Sequence, residues 1–146
     1  MTFETGAQVR FADVDPAGIV FYPRYFEMLN GAVEDWFAEA LGADFKSLHI
    51  ERRIGVPTVK LEVTFLSPSE LGDRLVIAIT PRAVGRSSCT IEVLFTGDAR
   101  ERLRATVVLV CMDLDAKRAM PWPDAIRARM AAGLVAVATA QPTGHA

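Results

Sequence analysis

Hydrophobic and polar residues alternate along the second half of the chain with the two-residue period of a half-buried β-strand. The pattern is clearest at residues 58–65, where every second side chain is apolar. Two further segments continue it, at residues 89–96 and 103–113, and residues 73–81 form a strand-like segment that is apolar on both faces. These segments are separated by the short turns Gly85-Arg86 and Gly97-Asp98, which are typical of antiparallel neighbours. The pattern therefore predicts four long strands, the last three of them as consecutive hairpins.

The period changes to three and four residues between Pro23 and Gly42. Apolar side chains recur there at the spacing of one helix face, and most acidic side chains fall between them. The apolar set comprises Tyr25 or Phe26, Leu29, Ala32, Val33, Trp36, Phe37, Ala40 and Leu41. Proline favours the first position of a helix, and glycine favours the position beyond its end. This segment predicts one amphipathic helix of about five turns, with a stripe wide enough to lie against a sheet.

The two ends of the chain carry weaker signals. Phe3, Val9 and Phe11 share one parity and predict a first strand. The proline-rich start at residue 121 predicts a closing helix to about Met130, and residues 134–146 are expected to form a loose tail. The order of strand, helix and four strands predicts a single α+β domain over residues 1–146, in which one antiparallel sheet curls round one helix.

Residues 75–79 are apolar on both parities, so this strand should be covered on its outer face as well. The simplest cover is a second copy of the chain. We therefore expect a homo-oligomer.

Composition narrows the function classes. The 146 residues are 51% hydrophobic, which suits one core in one domain. The formal net charge is −2 and the basic residues are scattered, which argues against nucleic-acid binding. Neither a signal peptide nor an apolar run of membrane-spanning length is evident, so we expect a cytoplasmic protein with no membrane partner. Cys89 and Cys111 lack C-x-x-C spacing and lie far from His49 and His145, so we expect reduced thiols and no metal.

The stretch "DVDPAGIVFYPRYF", residues 13–26, combines a carboxylate with a helix start. Pro16 restricts Asp15 to extended backbone, and Gly18 lets the chain turn closely. The first helical amides after Pro23 should lack partners within the helix. A carboxylate beside free N–H groups is what acyl transfer needs, one to attack or to activate water and the other to receive an oxyanion. The same residues are also an ordinary turn signature, in which Asp15 would only cap the helix.

The longer stretch "FADVDPAGIVFYPRYFEMLNGAVEDWF" resembles the signature of the hotdog-fold acyl-CoA thioesterases of the 4-hydroxybenzoyl-CoA thioesterase family, D-x-D-x-x-G-[IV]-V-[FWY]-[FY]-x-x-Y. The matching residues are Asp13, Asp15, Gly18, Ile19, Val20, Phe21, Tyr22 and Tyr25. The resemblance extends over about residues 3–130, through "GVPTVKLEVTFLSPSELGDRL" and "AMPWP". It implies a hotdog fold, with a curled antiparallel sheet wrapped round one long central helix. It also implies hydrolysis of an aryl- or medium acyl-CoA to the free acid and CoA, with no cofactor.

The resemblance also implies roles for single residues. Asp15 matches the catalytic carboxylate, either as nucleophile or as general base, and the backbone N–H of Tyr22 matches the donor that polarises the thioester carbonyl. Gly18 allows the substrate to approach, and Asp13 holds the loop. Substrate-binding positions are Tyr25 and Asn30. By the resemblance, hydroxybenzoyl-specific members carry at the position of Asn30 an acid that receives the phenol hydroxyl. The active site is expected in a cleft between two chains of a dimer or a dimer of dimers.

The turn at Arg86 and Ser87 is the first candidate for the CoA phosphates, because a guanidinium forks onto phosphate and turn groups add donors. Arg102 and Arg104, taken to share a strand face, rank below it. Three alternatives stay open. Glu34 or Asp35 could supply a helix-borne acid, a histidine could serve a hydratase or dehydratase, or the domain could bind acyl-CoA without hydrolysing it.

Overall fold

The computed structural model describes residues 2–140. One five-stranded sheet and one long helix make up its main body. The long strands are β1 (Phe3–Gln8), β3 (Thr58–Phe65), β4 (Arg74–Val84), β5 (Ser88–Gly97) and β6 (Arg100–Val110). The short strands are β2 (Ile54–Gly55), β7 (Met112–Asp113) and β8 (Arg118–Ala119). The helices are α1 (Pro23–Glu39) and α2 (Asp124–Ala140), with a 3-10 turn at Phe11–Asp13 and a π-helical turn at Lys46–Glu51.

The main sheet has the strand order β1-β4-β5-β6-β3, and every neighbouring pair is antiparallel. The predicted hairpins β4-β5 and β5-β6 are confirmed, since their short connections hold each strand beside the next one in sequence. Strand β3 instead crosses to the far edge and pairs with β6, while β1 takes the opposite edge beside β4. Periodicity carries no information on which edge a strand takes, so the sequence left this order open.

Helix α1 packs its apolar stripe on the inner face of the sheet. Its buried residues are Tyr25, Leu29, Ala32, Val33, Trp36 and Phe37, as the three- and four-residue period predicts. They join one core with the inward residues of the three central strands, among them Ile79, Val93 and Phe95. The predicted α+β architecture is therefore confirmed, with Pro23 at the first helical position and Gly42, at φ +72°, beyond the last.

The small three-stranded sheet β2-β7-β8 and the π-helical turn went unpredicted. Two-residue strands are too short to show a period, so their pairing is invisible in the sequence. Helix α2 continues to Ala140, beyond the predicted end near Met130, because its alanine-rich sequence has high helix propensity. Residues 141–146 of the expected tail lie outside the described residues. Within the described chain, neither helix has the length and apolar character that crossing a bilayer requires.

The edge strand β3 is exposed on both faces. Leu61 and Phe65, on the same side as α1, are 41% and 52% exposed. Val76, on the outer face of β4, is 42% exposed. A single chain therefore leaves apolar sheet surface in contact with solvent.

Candidate active site

The loop that carries Asp15 is a tight chain reversal. Val14 and Val20 form an antiparallel bridge, and the Asp15 N–H donates to the Ile19 carbonyl oxygen at 2.9 Å. Gly18 closes the reversal by donating its N–H to the Asp15 carbonyl oxygen at 2.9 Å. Its φ of +81° is a left-handed conformation that glycine adopts without strain. The loop geometry therefore fixes the backbone of Asp15.

The Asp15 side chain is half-buried, and its two oxygens differ. Oδ1 accepts a hydrogen bond from the Ala17 N–H at 2.8 Å, which holds the carboxylate in one orientation. Oδ2 makes no hydrogen bond with any residue from 2 to 140. One carboxylate oxygen is thus anchored and the other is available to a substrate or a water molecule.

Asp13 has a different environment two residues earlier. Its Oδ2 accepts a hydrogen bond from the Arg10 N–H at 2.8 Å, and its carbonyl oxygen accepts one from the Phe21 N–H at 2.9 Å. Both bonds tie the loop to the chain on either side of it. This arrangement agrees with the interpretation that Asp13 is structural.

The start of α1 differs from the prediction in one respect. The amides that follow Pro23 are already paired, since the Arg24 N–H donates to Phe21 and the Tyr25 N–H donates to Tyr22, at 2.9 and 3.2 Å. A tight 3-10 turn at the helix start makes these bonds and uses up the expected free donors. Within residues 2–140, the Tyr22 N–H has no acceptor. The one donor that this turn leaves uncommitted is therefore the Tyr22 amide.

An apolar hollow of about 320 Å³ has Tyr22 in its wall. Its walls come from the end of the Asp15 loop, the first turn of α1 and the end of β3. They include Ile19, Tyr22, Tyr25, Phe65 and Pro68. The Tyr22 and Phe65 rings meet edge to face, with centroids 6.2 Å apart. Phe65 and Tyr22 are 52% and 58% exposed, so the hollow opens to solvent in a single chain.

Comparison with known proteins places this arrangement in a family. A family model described as the thioesterase-like superfamily matches residues 9–130. The chain belongs to this superfamily. The match spans the Asp15 loop, α1 and four of the five strands of the main sheet, β3 to β6, which confirms the hotdog fold that the motif implied.

Relatives of this thioesterase act on CoA esters. A 1,4-dihydroxy-2-naphthoyl-CoA hydrolase from Synechocystis sp. is 31% identical over 84% of this chain and 89% of its own length. A solved gentisyl-coenzyme A thioesterase is 27% identical, covers 88% of this chain and 99% of its own, and superposes with a TM-score of 0.79. A 4-hydroxybenzoyl CoA thioesterase mutant, solved with 4-hydroxybenzoyl CoA, shares the fold at 23% identity, with a TM-score of 0.81 over 88% and 98% of the two chains. Acyl-CoA thioester hydrolysis, the predicted reaction class, is thereby confirmed.

Tyr25 lies in the core of the thioesterase rather than on its surface, at 4% exposed. Its ring packs against Phe95 and Phe65, with centroids 5.6 and 6.1 Å away. Its hydroxyl donates to Ser69 Oγ at 2.9 Å. The ring therefore forms the floor of the hollow, while the hydroxyl points away into a polar network.

Asn30 lies on a separate surface. It is exposed and lines an open groove of about 790 Å³ between α1 and β3, together with Glu34, Thr58 and Leu61. Eight residues of helix separate it from Tyr22, a rise of about 12 Å. The structure thus places Asn30 on the same helix as the Tyr22 amide but outside the hollow.

The turn at Arg86 and Ser87 is distant from Asp15 within one chain. It joins β4 to β5 at one end of β4, while the segment that contacts the Asp15 loop precedes the other end. Ten residue steps along β4 span on the order of 30 Å. The turn packs beside the start of α2, where the Arg86 carbonyl oxygen accepts from the Trp122 N–H at 2.9 Å. The Arg86 side chain is exposed and makes no ion pair within the described residues.

The placement of Arg102 beside Arg104 on one strand face is wrong. The register between β5 and β6 shifts after the Phe95–Leu103 pair, so Arg102 is the extra residue of a β-bulge and turns inward. It is 1% exposed and unavailable to a phosphate, whereas Arg104 is exposed and pairs with Glu101. Strict alternation cannot show a bulge, and this is why the sequence missed both Arg102 and its partner Ser69 as residues near the site.

The rival acids and the histidine lie elsewhere. Glu34 faces the groove. Asp35 accepts a hydrogen bond from Thr5 Oγ1 at 2.8 Å, about 20 Å along α1 from Tyr22. His49 lies in the π-helical turn beyond the far end of α1, with its Nδ1 3.0 Å from the Phe45 carbonyl oxygen. Among these acids, Asp15 is the one on the loop that leads directly to the uncommitted Tyr22 N–H.

Proposed function

We propose that this thioesterase hydrolyses aromatic acyl-CoA thioesters, with Asp15 as the reactive carboxylate and the Tyr22 N–H as the carbonyl donor. One observation carries the proposal. Residues 13–22 carry an unpaired carboxylate oxygen on Asp15 and an unpaired N–H on Tyr22, and Tyr22 lines an apolar hollow.

The reaction follows from these two groups. The thioester carbonyl oxygen accepts a hydrogen bond from the Tyr22 N–H, and the field of the α1 N-terminus favours the negative charge that develops there. In the nucleophilic route, Asp15 Oδ2 attacks the carbonyl carbon, the C–S bond breaks and CoA leaves as a thiolate that takes a proton from water. Water then hydrolyses the acyl-aspartyl anhydride and restores Asp15. In the general-base route, Asp15 instead takes a proton from the water that attacks, the C–S bond breaks, and Asp15 returns the proton to the CoA thiolate.

The aromatic preference rests on the walls of the hollow. Aromatic rings favour edge-to-face contacts, and the Tyr22 and Phe65 rings already form such a pair with apolar neighbours around it. The named substrates of the three relatives above are hydroxylated aromatic acyl groups. We infer an aryl group for this chain too, and the medium acyl-CoA alternative becomes an outcome of the test.

The functional unit is proposed to be a homo-oligomer, a dimer or a dimer of dimers. The hollow is open in one chain, and the exposed Leu61 and Phe65 continue its apolar surface along β3. A second chain on this edge would cover the hollow and bring groups that one chain lacks near Asp15. The turn at Arg86 and Ser87 of that second chain is the candidate for the CoA phosphates.

Free thiols fit the cytoplasmic location that we propose for an enzyme of this kind. Cys89 and Cys111 are buried and reduced. Burial raises the pKa of the Cys89 thiol to about 12 and that of the Cys111 thiol to about 11. Both thiols should therefore react slowly in the folded protein near pH 8, where the thiolate is the reactive form.

A free-thiol assay over a panel of CoA esters tests the proposed function. We expect CoA release from benzoyl- and hydroxybenzoyl-type esters, with kcat/KM at least about tenfold above that for hexanoyl- and octanoyl-CoA, because a flat ring fits the aromatic wall. Because Cys89 and Cys111 are buried, they should contribute little to the thiol signal of this assay. Faster release from the alkyl esters would contradict the aromatic preference, and tight binding without release from any ester would indicate a binding module.

A further inference from the structure

The guanidinium of Arg102 is buried at the centre of a polar network. Its Nε and Nη2 donate to the Gly97 carbonyl oxygen at 3.3 and 2.9 Å. Its Nη1 lies within 3.1 Å of the Pro68 carbonyl oxygen and of Ser69 Oγ, and within 2.8 Å of Asp73 Oδ2. A bulge in β6 aims the side chain at this spot. Every donor nitrogen of the guanidinium is thus engaged by the segment 68–73 or by the β5-β6 hairpin.

Ser69 is the junction of the network. It is completely buried, and its Oγ accepts from Arg102 Nη1 and from the Tyr25 hydroxyl of α1, at 3.1 and 2.9 Å. Its carbonyl oxygen accepts from the Val20 N–H at 2.9 Å. Two residues later, the Leu71 N–H donates to the Gly18 carbonyl oxygen at 3.1 Å. One short segment therefore binds the Asp15 loop through its backbone and the start of α1 through a side chain.

The surroundings of Arg102 leave little freedom for it to move. A Cβ atom on Gly97 would lie 3.0 Å from Arg102 Nη2, so the absence of a side chain at this glycine makes room for the guanidinium. Asp73 supplies the opposite charge, and its Oδ2 also accepts from the Glu70 N–H at 2.9 Å. Buried side-chain polar atoms without a partner are absent from the described part of the chain.

The ion pair joins the buried Arg102 to the partly exposed Asp73. Such a pair is weak evidence for stability, because the desolvation of the arginine offsets much of the attraction. What the pair does provide is one fixed geometry. The bonds from this network end on the two segments that carry the Asp15 carboxylate and the Tyr22 amide. We propose that Arg102, acting through Ser69 and Tyr25, is a positioning residue that fixes the Asp15 loop relative to the first turn of α1. The proposal rests on the function proposed above, in which these two groups act on one carbonyl.

The test removes single links of the network and leaves the fold in place. Tyr25→Phe and Ser69→Ala each delete one hydroxyl, and Ser47→Ala deletes an exposed hydroxyl as the matched control. We expect the two network variants to lower kcat about 10- to 100-fold with KM changed less than about threefold, because misplacement of the carbonyl donor weakens the transition state more than the bound substrate. If the network were purely structural, the variants would lower the free energy of unfolding without lowering kcat relative to KM.

Hydrogen exchange gives a readout that does not depend on turnover. We expect amides in residues 14–22 to exchange at least about tenfold faster in Tyr25→Phe and Ser69→Ala, while β5 and β6 keep the wild-type rate. Arg102→Lys keeps the charge but cannot hydrogen-bond to Gly97 and Ser69 at the same time, so residues 14–22 should also exchange faster in this variant. Arg100→Met, on the same strand, should keep the wild-type exchange rates. Wild-type exchange in residues 14–22 of all three network variants would overturn the positioning role. An inactive wild-type protein would instead overturn the proposed function, and the exchange result would still decide the inference.

Discussion

At the residue scale, the two aspartates of the loop differ in how their carboxylates are hydrogen-bonded. Asp13 uses its carboxylate to hold the Arg10 N–H, whereas Asp15 uses one oxygen for the Ala17 N–H and leaves the other unpaired. The motif resemblance predicts that Asp13 holds the loop, and its bond from the Arg10 N–H agrees with that prediction. The isolation of the Tyr22 amide was not predictable, because it depends on the 3-10 bonds that Arg24 and Tyr25 make at the helix start.

Gly18 provides the residue-scale prediction. An alanine there meets no atom within 4 Å, so its cost comes only from the positive φ of +81°. We expect Gly18→Ala to lower the free energy of unfolding by about 1–2 kcal/mol and to reduce kcat, because the loop relaxes around Asp15. Chemical denaturation and the thiol assay measure the two effects. The control Gly6→Ala has ordinary φ and a Cβ 3.6 Å from the Leu75 carbonyl oxygen, and should change stability by less than about 0.5 kcal/mol. Equal behaviour of the two variants would exclude backbone strain as the function of Gly18.

At the element scale, the regular parts of the fold were predictable and the irregular parts were not. The period of α1 and the alternation of β5 and β6 follow directly from side-chain spacing. The β6 bulge, the π-helical turn and the two-residue strands break those periods. Arg102 shows the consequence, because alternation assigns it to the outer face while the bulge buries it.

The salt bridge between Arg102 and Asp73 predicts a dependence of stability on pH. The hydrogen bond from Arg102, helped by the Glu70 N–H, holds the pKa of Asp73 below its ordinary value of 3.8. The folded state therefore binds this proton less readily than the unfolded state. The resulting stabilisation is complete above about pH 3.8 and is lost as the pH falls through the lowered pKa.

We expect Asp73→Asn to lower the free energy of unfolding at pH 7 by about 1–3 kcal/mol, since a charged hydrogen bond is lost. The gap to wild type should shrink at about pH 3, below the ordinary pKa of 3.8, because the unfolded chain takes up this proton more readily than the folded state. Urea denaturation at the two pH values measures this change. Asp115→Asn, which breaks the exposed Arg53 pair, should cost less than about 1 kcal/mol at either pH. A gap that is the same at both pH values would rule out the linkage.

At the scale of the whole molecule, the most informative feature is the surface that a single chain leaves uncovered. Residues 75–79 are apolar on both faces, which predicts that another chain covers the outer face. In a single chain, Val76 on that face is exposed. Strand β3 adds an unpaired edge with Leu61 and Phe65 beside the hollow. The sequence could not show that β3 takes the edge position, since it pairs with a strand 35 or more residues later.

Light scattering at micromolar concentration checks the assembly. We expect wild-type protein to be a dimer or a tetramer, and Leu61→Lys to shift it toward monomer with reduced kcat, because a charge enters the apolar face of β3. Thr64→Lys adds the same lysine at an exposed polar position of β3 and should leave the mass unchanged. A wild-type monomer with full activity would show that one chain suffices.

The central claim is that the unpaired oxygen of Asp15 performs the chemistry, and the kcat of Asp15→Asn tests it most directly. Asparagine keeps an oxygen for the Ala17 N–H and so preserves the loop, but it is neither an anionic nucleophile nor a base. We predict that kcat on the best aryl-CoA falls at least about 100-fold with little change in stability, while Asp13→Asn keeps most of its activity. Wild-type kcat in folded Asp15→Asn would contradict the account.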